Sequence, residues 1–168
     1  EIVDAARARG RKRLAVAYGQ DAHTIEAVYD AYKDGIVEAT LFGDQEVIEK
    51  TCAELGIDST IFTIVNEPNA AKAVAAAVKA VVSGEADVLM KGLVSTDVYM
   101  RGILNKEAGL FPPKGVLSHI SVFEWAGYHK LLLASDIAVL PLPDLKQKQA
   151  LIKYIAQVAK TLEIDTPK

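Results

Sequence analysis

From Arg13 onward, short apolar runs alternate with longer stretches of helical periodicity, four times in succession. That rhythm constrains the fold more than any other feature, because strands separated by covering helices assemble into a parallel sheet. The runs Leu14 to Tyr18, Ala39 to Phe42, Ile61 to Val65 and Val88 to Met90 read as strands. Each is nearly continuous in apolar character, as expected where helices cover both faces. The segments between them carry helix signals. Ile25, Val28, Tyr29 and Tyr32 share one face of a helix from about Thr24 to Asp34, which Gly35 ends. Asp44 opens the second helix and Gly56 closes it. Pro68 is expected at the first position of an Ala-rich third helix that runs to Ser83 and Gly84. Ser95 and Thr96 begin the fourth, which reaches about Asn105.

The rhythm then breaks at a loop from Gly109 to Gly115 that contains Pro112 and Pro113. Leu117 to Phe123 and Lys130 to Ala134 flank a short Gly-containing connector, which predicts a hairpin attached as an antiparallel edge to the parallel sheet. Pro143 and Asp144 introduce a long helix with a stripe of Leu145, Ile152, Ile155, Val158, Ala159 and Leu162. The predicted architecture is α/β, a three-layer αβα arrangement with a mainly parallel sheet plus an antiparallel hairpin. Residues 1–143 are expected to form the α/β domain. Residues 144–168 are expected to begin a second lobe whose remainder is absent, because a stripe of that length needs a packing partner.

A chain of 168 residues, 51% hydrophobic, can bury one full core. Aromatics make up only 7%, which suits aliphatic strands under helices rather than an aromatic recognition surface. The net charge of -3 gives no overall attraction for nucleic acid or anionic lipid, so any anion site must be built locally. Arg7, Arg9, Arg11, Lys12 and Arg13 are crowded together and read as a solvated face and turn before the first strand. Cys52, the one cysteine, falls on an apolar periodic run and reads as a buried structural thiol. With no disulfide possible, no leader-like apolar run at the start and no stretch near 18 apolar residues, a soluble, cytoplasmic protein is expected.

In parallel α/β sheets, ligands bind outside the carboxyl ends of the strands. Here those ends are Gly19-Gln20-Asp21, Gly43-Asp44, Asn66-Glu67 and Lys91-Gly92. The acids at the first three have an ordinary use as helix caps. The fourth combines a cation, a glycine that lets backbone approach a ligand, and the hydroxyls and free N–H groups of Ser95 and Thr96 at a helix start. Arg101 lies about one and a half turns further on, within reach of an anion at the loop. Asp97 in the first turn opposes that reading, and a plain capped helix beside an extended Lys91 is an equally good account of the pattern alone. No P-loop, no G-x-G-x-x-G after a strand, no HExxH and no paired-cysteine spacing occurs, and His23, His119 and His129 are scattered.

Three ordered blocks then carry a resemblance: LMKGLVSTDVYMRGILNKE, LSHISVFE and YHKLLLASDIAVLPLPDLKQKQ. Together they resemble the N-terminal part of the phosphate acetyl/butyryltransferase family, most strongly from Ala86 to about Lys148. The resemblance implies a two-lobed, isocitrate/isopropylmalate dehydrogenase-like fold. It also implies acyl transfer between acyl-coenzyme A and inorganic phosphate, with both as substrates, no permanently bound cofactor and no metal. Homodimers or higher homo-oligomers are the implied assembly, without nucleic acid or membrane partners. The implied site residues are Lys91 and Arg101 as catalytic cations, with Gly92, Ser95, Thr96, Ser118, His119, Ser135 and Asp136 binding substrate. Ile137 replaces the cysteine of acetyl-specific relatives, which leans to the butyryl branch. The family's later Ser-Arg-Asp cluster has no match, so this chain alone is expected to be inactive. Transfer to an acetyl group and a non-catalytic regulatory or assembly role are the alternatives. A related hydroxyacid dehydrogenase would need acidic metal ligands and a dinucleotide motif, and neither is present.

Overall fold

A computed structural model of the chain describes residues 2–164 and 166–167. Glu1, Asp165 and Lys168, which fall in the expected segments 1–143 and 144–168, lie outside the described residues. The chain divides into two compact units, one through Pro113 and one from Lys114 onward. Within the second unit the hairpin pairs with itself and the last helix packs on its second strand.

In the first unit the elements run α1 (Ile2–Ala8), β1 (Lys12–Ala17), α2 (Ala22–Lys33), β2 (Val37–Gly43), α3 (Gln45–Glu54), β3 (Thr63–Asn66), α4 (Ala70–Val82), β4 (Val88–Lys91) and α5 (Thr96–Leu104). The four strands form one fully parallel sheet in the order β3-β2-β1-β4. Successive side chains of a strand point to opposite faces. Leu14 and Val16 of β1 therefore enter a core with Ile25, Val28, Ile48 and Cys52 of α2 and α3. Ala15 and Ala17 enter the other core, against Ala73, Val74, Ala77 and Val78 of α4. The three αβα layers follow from that alternation. Cys52 is fully buried, and burial pushes its thiol pKa up.

Several local readings are corrected. Only β1 and β2 are the near-continuous buried strands expected of all four; β3 and β4 are edges, with Val65 and Val88 exposed. Ile61 belongs to a short 3-10 turn, Ser59–Ile61, capped by Asp58, so the third strand starts at Thr63. Pro68 lies before the α4 cap rather than inside the helix. Asn69 occupies the cap because its Oδ1 accepts from Lys72 N, 3.1 Å away. The basic segment runs from the last turn of α1 into the start of β1 and disperses its cations. Arg7 pairs with Asp34 at 2.7 Å, and Arg11 lies 4.4 Å over the Tyr32 ring. Arg13 forks onto Asp87, with Nε donating to Oδ2 at 3.0 Å and Nη2 to Oδ1 at 2.6 Å. This fork holds the start of β4 against β1, and the Arg13 side chain, first by hydrogen bond, keeps the Asp87 carboxyl well below the usual range.

The second unit holds β5 (Ser121–Phe123), β6 (Leu132–Ala134) and α6 (Leu145–Thr161). The hairpin is shorter than predicted and forms an antiparallel sheet of its own rather than an added edge. The α6 start carries a capping box between Asp144 and Gln147. Leu151 and Ala159 of α6 are buried, while Leu145 and Ile152 of the expected stripe are exposed. Among the described residues, no helix is long and apolar enough to cross a membrane.

Gly102 sets how closely α5 packs on α4, because a Cβ there would overlap Val74 Cγ1. Gly102→Val is expected to destabilise the fold by about 1–3 kcal/mol through overpacking. The check is a lower urea midpoint at unchanged m-value.

Candidate active site

All four strands of the parallel sheet end on the same side, and the strand order reverses at β1, which pairs with β2 on one side and β4 on the other. Crevices form at such switch points because the flanking loops diverge to opposite faces. At the first three strand ends a side chain accepts from a backbone N–H at a helix start, although Asp21 Oδ2 is buried without a partner among the described residues. Asp21 accepts from Thr24 N at 3.0 Å, Asp44 from Val47 N at 3.2 Å, and Asn66 from Gln45 N at 3.1 Å. Gln20 ties two of these loops together by accepting from Asp44 N at 2.9 Å.

The loop after β4 is built differently. Gly92 N continues the ladder by donating to Ala17 O at 2.9 Å, and Leu93 N donates to Tyr18 O at 3.1 Å. A Cβ on Gly92 would overlap the Tyr18 carbonyl oxygen and lie 2.7 Å from its carbon and 2.9 Å from Gly19 Cα. Only glycine allows the two backbones to lie this close. Tyr18 itself sits at φ 59, in the left-handed region that non-glycine residues seldom adopt. Val94 then anchors the loop by burying its side chain in the core.

Lys91, Gly92, Ser95 and Thr96 are thereby collected at one loop and one helix start. The Lys91 ammonium is exposed and lies 3.4 Å from the Gly92 carbonyl oxygen. Ser95 caps α5 by accepting from Val98 N at 3.3 Å, which leaves its own O–H able to donate outward. The first backbone N–H groups of α5 have no partner within the helix, as at any helix start. Arg101 turns back along the helix, its Nε 3.0 Å from Asp97 Oδ2. The carboxylate that opposes an anion in the first turn is thus paired with the cation expected to attract one.

The remaining residues predicted for the site lie in the second unit and form one cluster there. The hairpin register pairs Ser121 with Ala134, and the chain beyond these strands keeps its two arms together. Ser118 Oγ lies 2.9 Å from Ser135 Oγ, and His119 N donates to Asp136 Oδ2 at 3.0 Å. Ala138 N and Val139 N both donate to Asp136 Oδ1 at 2.8 Å. Desolvation pushes the Asp136 carboxyl up, but the backbone N–H groups of Val139, Ala138, His119 and Leu140 together outweigh it and hold it well below the ordinary range. His119 Nδ1 is 3.5 Å from Ser121 Oγ. Sequence reasoning did not single out Tyr18 and Gly19 as the wall against Gly92. Their signal was a glycine straight after a strand, whose neighbour across the sheet is a tertiary fact.

The family described as phosphate acetyl/butaryl transferase matches residues 56–168, which include the β4–α5 loop and the whole second unit. Over 168 residues the chain is 42% identical to the phosphate butyryltransferase of Clostridium acetobutylicum, covering 100% of this chain and 56% of that protein. It is 37% identical to the phosphate acetyltransferase of Thermotoga maritima over 168 residues, again 100% of this chain and 56% of the relative. Among solved structures, a branched-chain phosphotransacylase from Enterococcus faecalis aligns with a TM-score of 0.77 at 22% identity, over 90% of this chain and 52% of that one. At that identity the likeness shows a shared fold. The chain spans about half the length of the curated relatives it matches. On the strength of the match over residues 56–168, the chain belongs to the phosphate acetyl/butaryl transferase family.

Proposed function

We propose that this chain is part of an acyltransferase that moves a short acyl group, butyryl in preference to acetyl, between coenzyme A and inorganic phosphate. The observation that carries the reading is the backbone approach at Gly92, which fixes a lysine and a helix start capped by Ser95 at the switch point of the sheet. The identity to a phosphate butyryltransferase supports the choice of reaction. Residues 144–168 are proposed to begin a second lobe that supplies the coenzyme A side. The natural assembly is proposed to be a cytoplasmic homo-oligomer.

In the reaction, an oxygen of hydrogen phosphate attacks the thioester carbonyl carbon. A C–O bond forms, the C–S bond breaks, and the thiolate takes up the proton that phosphate gives up. Lys91 neutralises and orients the phosphate, and Arg101 joins it by exchanging part of its contact with Asp97 for a phosphate oxygen. The Ser95 hydroxyl, with the hydroxyl and N–H of Thr96, fixes the remaining oxygens, so the nucleophile is held rather than left to diffuse. Each paired hydroxyl of Ser118 and Ser135 has further hydrogen-bonding capacity for substrate oxygens. His119 adds a ring donor beside them. Asp136 acts as a positioning residue, since both its oxygens are already taken by backbone N–H groups.

Lys91→Ala and Arg101→Ala in the natural protein should each weaken phosphate use by about tenfold or more, the loss of one charge-assisted contact. Release of coenzyme A thiol from butyryl-coenzyme A at varied phosphate measures this. Unchanged phosphate kinetics in both variants would remove these residues from the mechanism.

Asp136 also predicts an acid dependence. Its folded pKa is lowered, so the stability it confers is fully present above the unfolded value of about 3.9 and is lost as pH falls toward the folded value. Carboxyl carbon NMR should therefore show Asp136 still ionised near pH 3. Asp136→Asn should lose less stability than the parent between about pH 4 and pH 2.

A further inference from the structure

We propose that Leu93 is the acyl-chain contact of this site and sets its preference for a four-carbon over a two-carbon acyl group. The inference rests on the phosphate reading of the same loop and goes beyond it by naming the part of the substrate that recognises an apolar side chain.

Leu93 lies between two residues held by close contacts. Gly92 is locked against the Tyr18 carbonyl, and Val94 is buried at 7% exposure in the core beneath α4 and α5. The Leu93 N–H is itself bonded to Tyr18 O at 3.1 Å, and Val94 N closes the turn onto Gly92 O at 2.9 Å. With its neighbours held inward, the Leu93 side chain stays 67% exposed. A single exposed leucine on a free surface needs no explanation. This one is displayed by a pinned backbone inside the loop that carries Lys91 and Ser95, where Gly92 and Val94 are both buried.

The reaction geometry connects the loop to the acyl group. A productive complex holds the attacking phosphate oxygen about 3–3.5 Å from the carbonyl carbon. The acyl chain starts at that carbon, so it leaves from a point within a few ångströms of the bound phosphate. Among residues 91–95, Leu93 offers the large exposed apolar surface. An acetyl group has one carbon beyond the carbonyl to place against it, and a butyryl group has three. Covering the longer chain removes apolar surface of both partners from water, and this gain is one the acetyl group lacks.

The test compares butyryl- and acetyl-coenzyme A as donors in the natural protein, with Leu93→Ala, Leu93→Met and Lys91→Ala beside the parent. Circular dichroism and melting confirm folding, which a substitution at an exposed position should leave intact. Leu93→Ala is expected to lower the butyryl-to-acetyl ratio of kcat/KM about fivefold or more, within the range set by apolar pockets. The KM for phosphate should stay within about twofold, and Leu93→Met should restore most of the ratio, since it conserves apolar volume. An unchanged ratio in Leu93→Ala, while Lys91→Ala still impairs phosphate use, overturns the role of Leu93 alone. Phosphate use that is insensitive to Lys91→Ala overturns the reading of the loop and the Leu93 assignment with it. Equal losses with both thioesters in Leu93→Ala and Leu93→Met mark a structural residue and also overturn the proposal.

Discussion

The backbone after β4 lies directly against the backbone after β1, and the candidate site depends on that contact. Gly92 continues the β1–β4 ladder one residue past the strand, and the absence of a side chain lets the Tyr18 carbonyl sit where a Cβ would be. Two consequences follow from a chain held this rigidly. Val94 is drawn into the core, and the intervening Leu93 is forced outward. Ser95 then begins α5 at a fixed point, and the Lys91 ammonium donates to the Gly92 carbonyl oxygen of the same loop. The loop proposed to orient a small anion gains from such fixed geometry, because orientation is supplied before the substrate arrives.

The opposite end of the sheet explains how that contact is kept. Arg13 and Asp87 join the starts of β1 and β4 by a two-pronged ion pair, by Arg13 N donating to Asp87 Oδ2 and by Asp87 N donating to Arg13 O. Helix packing does the same from the side. Gly102 and the Ala-rich face of α4 let α5 and α4 lie close, so the helix carrying Arg101 is seated by small residues rather than by large ones that would hold it away. The basic cluster near the start of the chain serves this scaffold too. Arg7, Arg11 and Arg13 find Asp34, Tyr32 and Asp87 within the first unit.

The second unit solves a different problem with the same economy of means. Its hairpin has only three residues per strand, too short to fix much by ladder bonds alone. Asp136 compensates by gathering N–H groups from both arms, which brings Ser118, His119 and Ser135 into one cluster. A carboxylate so fully solvated by backbone donors is a poor base, and its value lies in where it places its neighbours.

The sequence by itself determined the α/β class, three of the four parallel strands nearly to their ends, and the loop-and-helix character of residues 91–104. Apolar periodicity and capping residues are local signals, and local signals are what a single chain displays. It also determined the family, through three blocks whose order and spacing no composition argument would produce. Tertiary structure alone decided that β1 lies next to β4, that β3 and β4 are edges, and that the hairpin makes a sheet of its own. Pairing partners depend on the packing of distant segments, so a run such as Val88 to Met90 reads as a buried strand whether or not both its edges are covered. The same reason hid the roles of Tyr18 and Leu93. Nothing in either residue's local pattern announces a wall or an enforced exposure until the backbone opposite it is known.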